Sequence, residues 1–164
     1  MKKAVFLFLG VFISLIFFSC NSFDKIKYND ELVKYCTKQN KLYAEFGKAL
    51  YDTTIGIEEL DQQFNDILSQ MQQNYDDFKK NVKPRENIFY PAADSFMKGV
   101  IEIMNNQGKS LVNLIKTGQI SQISDDSISN LVNSADNRIK LLFKAVIEAQ
   151  TRFADKYHVE LEDE

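Results

Sequence analysis

From about residue 24 onward, apolar side chains recur every three or four positions, not every second one. That period lines one face of an α-helix. The first stretch, 24–51, carries Tyr28, Leu32, Tyr35, Leu42, Phe46 and Ala49, with Gln39 standing in the one gap. Asp52-Thr53-Thr54-Ile55-Gly56 then interrupts it. Threonine and glycine serve a turn or cap better than a helix interior. The second stretch, 57–82, carries Leu60, Phe64, Ile67, Met71, Tyr75, Phe78 and Val82. Glu58, Glu59 and Asp61 crowd its start, and Lys79, Lys80 and Lys83 its end, which complements the helix dipole; Pro84 stops it.

A third stretch, 91–117, opens on Pro91, a residue favoured at the first helical position. Its line is Phe96, Val100, Ile103, Leu111, Leu114 and Ile115, and Gly118 follows as a C-terminal stop. Asn105-Asn106-Gln107-Gly108 is its weak point. A glycine there costs about 1 kcal/mol against alanine, so a kink or a close approach by a neighbour is expected. After a link at 119–124, Ser124 is placed to cap a fourth helix over 125–157, with Asp125 and Asp126 in its first turn. Ile128, Leu131, Ala135, Ile139, Leu142, Val146 and Phe153 form its stripe, and an acidic tail follows.

Four amphipathic helices with short links predict an all-α fold, an antiparallel four-helix bundle with up-down-up-down order as the default. A helix of about 26 residues is about 39 Å long. Mixed three-and-four spacing suits neighbours crossing at about +20°.

The first twenty residues follow a different rule. Lys2 and Lys3 precede an almost unbroken apolar run from Ala4 to Phe18, closed by Ser19 and Cys20. The run is about 15 residues, short for a membrane span of roughly 20 and suited to the core of a secretory signal. Phe17-Phe18-Ser19-Cys20 resembles the lipobox of bacterial lipoproteins, with phenylalanines where leucine and a smaller residue are commoner. The resemblance implies cleavage before Cys20, a diacylglyceryl group on its sulfur and acylation of the new amine. Two or three chains hold a protein stably, at about 0.8 kcal/mol per buried methylene. Asn21, not aspartate, follows the cysteine, which favours the outer over the inner membrane in the best-known sorting scheme.

Loss of residues 1–19 leaves one domain, 20–164. Without Lys2 and Lys3, 18 of the 20 basic side chains face 23 acidic ones, a net charge of −5. That balance lacks the basic footprint of a nucleic-acid binder. Cys36 is the one thiol left once Cys20 is modified, so no internal disulfide can form. It fits a small core or boundary position; a reactive thiol is the alternative.

Reactive machinery is sparse. His158 is the single histidine, and its spacing from Asp155 suits two ligands on one helix face. A di-iron bundle needs two such pairs and two further glutamates. There is no G-x-S-x-G element, zinc or haem cysteine spacing, or glycine-rich phosphate loop, so no cofactor is expected. Two places remain for binding. Ile88, Phe89 and Tyr90 make the most apolar stretch within a link, which either tucks over one bundle end or forms a docking patch. Tyr35, Gln39 and Gln107 would mark a ligand cleft inside the bundle, tyrosine offering a flat apolar body with a hydroxyl.

The cysteine segment, together with the Tyr28-Asn29-Asp30-Glu31-Leu32-Val33 opening of the first helix, resembles small helical lipoproteins of bacterial envelopes. The expectation is a non-enzymatic, membrane-anchored envelope lipoprotein with a structural or protein-binding role, its partners being the membrane through Cys20 and another envelope protein. A carrier or sensor of a small ligand is the alternative.

Overall fold

A computed structural model describes residues 23–118 and 125–161. The signal segment with Cys20, the Ser124 cap and the end of the acidic tail lie outside the described residues. The elements are α1 (Lys25–Tyr51), α2 (Ile57–Asn81), α3 (Phe89–Ile103), a π-turn (Met104–Gly108), α4 (Lys109–Lys116) and α5 (Asp125–Tyr157). The path from α3 to α4 is continuous helix, so four rods make up the fold, and among the described residues there is no strand. The chain is an all-α four-helix bundle.

Local chemistry sets the ends. Asp24 caps α1, its side chain accepting from the Lys27 amide at 3.0 Å. At the α1–α2 turn, Asp52 Oδ1 accepts from the amide and hydroxyl of Thr54, at 2.9 and 2.6 Å. The third rod begins at Phe89, two residues ahead of the position that Pro91 suggests. Glu86 is the reason: its carboxylate accepts from the amides of Ile88, Phe89 and Tyr90. Those donors have no carbonyl a turn earlier, so the side chain supplies the acceptors. Pro91 then falls within the first turn, where its missing N–H is not needed.

Contacts between rods run in opposite numerical directions. The Tyr35 and Phe46 rings of α1 meet Phe78 and Phe64 of α2, with centroids 5.7 and 5.5 Å apart. Phe78 stacks on Tyr90 at 5.0 Å, while Asp61 near the start of α2 pairs with Lys116 at 2.6 Å. Phe89, Phe96 and Glu102 meet Phe153, Phe143 and Arg138 of α5 in that order. Asn29 and Tyr43 of α1 meet Gln150 and Asp136 of α5, which closes the ring. Each of these contacting pairs is therefore antiparallel, while α1 also packs on α3 through Gln39 and the Met97 carbonyl.

The core runs the length of this ring. Leu32, Met71, Phe78, Phe89, Phe96, Met97, Val100, Met104 and Phe153 are fully buried. Each large apolar side chain removed from water contributes about 1.5–3 kcal/mol before entropy is counted. At the end where α1 begins, Phe23, Tyr28, Phe89, Phe153 and Tyr157 form one aromatic cluster. Gly99 lets α3 approach α5 closely, since a Cβ there would lie 2.6 Å from Leu142 Cδ1.

Phe89 and Tyr90 belong to this core, at 0% and 7% exposed. The docking-patch alternative for Ile88, Phe89 and Tyr90 is thereby corrected. The stretch is the first turn of α3, turned inward onto Phe78 and Phe153, and only the half-buried Ile88 reaches the boundary.

Candidate functional site

Tyr35 and Gln39 lie one helical turn apart on α1, and both reach Asn74 of α2. Asn74 Nδ2 donates to Gln39 Oε1 at 2.9 Å and to the Tyr35 carbonyl at 3.1 Å. Gln39 Nε2 donates in turn to the Met97 carbonyl of α3 at 3.3 Å. Gln39 is 0% and Asn74 1% exposed, so this amide chain ties three rods together deep inside the bundle. It pairs polar groups within the protein, with Gln39 fully buried. Among the described residues, Asn74 Oδ1 and Gln107 Oε1 are the buried side-chain atoms without a protein partner.

Gln107 is elsewhere. It belongs to the π-turn, where Asn105 and Asn106 donate their side-chain amides to the carbonyls of Ile101 and Glu102, at 3.1 and 2.8 Å. A π-turn widens the helix and weakens the backbone ladder, and short amide side chains repair it. Gln107 lines an open polar groove with Asn105, Asn106, Lys109, Ser110 and Asn113. Tyr35, Gln39 and Gln107 therefore do not meet, and the expected cleft between them is not what the fold builds.

The recess that does exist lies on the other side of the π-turn. It encloses about 150 Å3 between α1, the third rod and the first half of α5. Its α1 wall is Tyr43, Gly47 and Tyr51, with Phe46 and Leu50 deeper. Met104 and Gly108 of the π-turn form the floor, and Val132, Ala135 and Asp136 the far wall. Gly108 permits the close fit there: a Cβ on it would lie 3.2 Å from the Phe64 ring and 3.4 Å from the Phe46 ring. Tyr43 donates its hydroxyl to Asp136 Oδ1 at 2.9 Å across the rim. Burial, reinforced by that carboxylate, pushes the Tyr43 hydroxyl well above the ordinary tyrosine range, so it stays protonated and acts as a donor.

The spacing of Tyr43, Gly47 and Tyr51 is the signal that sequence reading passed over. Residues four apart share a helix face, and a glycine between two tyrosines leaves a notch.

The other candidate groups resolve simply. Cys36 is 3% exposed, and burial pushes its thiol up to about 12. It is a core filler, not a nucleophile, because the thiolate is the reactive form. His158 is exposed and sits at φ 55, just past the end of α5. With the Val159 amide bonded to the Ala154 carbonyl at 3.0 Å, it forms a Schellman-type helix stop. Among the described residues no group of three His, Cys, Asp or Glu side chains could hold a metal ion. Among them, too, no helix is long and apolar enough to cross a membrane. No protein-family model, no curated protein and no solved structure matches the chain.

Proposed function

We propose that this chain is a lipid-anchored envelope protein, held by acyl groups on Cys20, whose helical body acts by non-covalent contact with another macromolecule. The observation that carries the reading is the placement of Cys20, directly after the apolar run and five residues before α1 starts at Lys25. Five residues span at most about 18 Å. A lipid on Cys20 would therefore hold the aromatic end of the bundle near the bilayer and point the α1–α2 turn away from it. Outer-membrane residence, suggested by Asn21, belongs to the same reading.

The nearly closed core supports contact over catalysis. Its buried polar groups bind one another, and its thiol is sequestered. With Phe89 and Tyr90 turned inward, contact would fall on the rod faces. Leu141 and Ile147 of α5 are 70% and 49% exposed and offer apolar purchase there.

A mass spectrum of the protein purified from envelopes tests the anchor. The expected product begins at Cys20 and carries the mass of two or three acyl chains. An unmodified chain in the soluble fraction would overturn it. Photo-crosslinkers at positions 141 and 147 in intact cells test the contact; adducts to one envelope protein are expected, and none at either position would remove both as contact points.

A further inference from the structure

The recess at the α1–α2 end has a built polarity. Gly47 places no side chain between Tyr43 and Tyr51, and a Cβ there would meet nothing within 4 Å. The opening leads to apolar atoms of Phe46, Met104 and Val132. At the rim stands Asp136, one oxygen of which accepts from Tyr43. Among the described residues no lysine or arginine nitrogen lies within ion-pair distance of that carboxylate. An apolar hollow lined by two tyrosines thus ends at an anion with an uncommitted oxygen.

The geometry points to a binding site for a small organic amine, its flat or short apolar body in the hollow beside Gly47 and its ammonium on Asp136. Size sets the body: a dry cavity of about 150 Å3 accepts a benzene-sized molecule. Charge sets the head group, since a carboxylate accepts a charge-assisted hydrogen bond from an ammonium and repels an anion. The tyrosine rings favour the same sign, because a cation near an aromatic face is attracted by its quadrupole. Tyr43 holds the carboxylate in place through its hydroxyl and is a positioning residue. The site lies about 27–39 Å along α1 from its start, far from the end nearest Cys20, and does not depend on the anchor.

Benzylamine and benzoate share a ring and differ in charge, so they make a matched pair of probes. The experiment is a titration of the 15N-labelled full chain in lipid nanodiscs, read by amide chemical shifts. Benzylamine is expected to give saturable shifts confined to 43–51, 103–111 and 132–136, and benzoate none there. Asp136→Asn keeps the shape and should raise the benzylamine Kd about fivefold to tenfold. Gly47→Leu fills the hollow from an unobstructed helix position and should abolish the shifts. Equal binding of the two probes, absence of saturation, or an unchanged Kd in Asp136→Asn would each overturn the site. Should either variant unfold, the contrast between probes on the unaltered chain decides alone.

Discussion

Asn74 donates to Gln39 at 2.9 Å in the middle of the bundle, at a level where every neighbouring core position is apolar. Such a bond contributes little net free energy while both partners are present, and breaking one side is costly because the other is left buried. Asn74→Ala and Gln39→Ala should each destabilise the protein by about 2–3 kcal/mol. The Gln39→Leu/Asn74→Leu pair should cost clearly less than the sum of the two single leucine changes. Urea unfolding of the four species of that cycle measures the coupling. Additive costs would mean that the amides do not act as a unit.

Phe89 is fully buried against Phe153, with centroids 6.0 Å apart. Phe89→Ala should cost about 3–5 kcal/mol, and Phe89→Asp should prevent folding, because an unpaired carboxylate would replace the ring. Thermal melts followed by circular dichroism at 222 nm check both. A Phe89→Asp protein that melts normally would mean this first turn of α3 is not packed inside.

The rods were legible because burial and helical period coincide. Leu60, Phe64, Ile67, Met71 and Phe78 were readable as one stripe, and all are buried. The start of the third rod was not. Pro91 is a strong local signal, whereas Glu86 acts through a side chain that reaches three amides ahead. Nothing in periodicity marks that carboxylate as a cap. Gln39 was visible as a gap in an apolar line, but its partner Asn74 lies on another helix, in the buried line of Met71 and Phe78, beside a Tyr75 that masks the polar position. The recess escaped for a related reason. It is made by what Gly47 lacks and by the meeting of residues 43 and 136, which a one-dimensional pattern cannot register.

Thiol counting separates a lipidated Cys20 from a free one. Cys36 should be inert to a thiol reagent in the native protein, since it is 3% exposed and held protonated. In denaturant, protein with a thioether at Cys20 should yield one reactive thiol per chain, and unmodified protein two. Two thiols in the envelope-derived material would refute acylation at the sulfur.

Alkaline pH should weaken the fold. Burial raises Cys36 from 9.0 to about 12 and Tyr28 from 10.0 to about 12. Each folded-state group holds its proton more tightly than the unfolded one. The resulting stability is fully present below about pH 9 and is lost as pH rises toward 12. Melting temperature should therefore fall steadily above pH 9, and Cys36→Ala should flatten the first part of that fall. A flat profile to pH 11 would contradict both shifts.

His158 adopts φ 55 at the close of α5, a conformation that suits glycine better. His158→Gly should raise stability by up to about 1 kcal/mol, read from the urea midpoint at constant slope. A decrease would show that the imidazole makes a contact of its own.

The widened turn at Met104–Gly108 threads one residue more than a regular helix would use. Everything beyond it is consequently rotated by about 100° relative to an uninterrupted continuation. Leu111 and Val112, both buried, lie beyond that offset. Excising Asn105 or Asn106 would shorten the rod by about 1.5 Å yet turn both side chains by about 100° about its axis. In this stretch a deletion is a change of phase far more than of length.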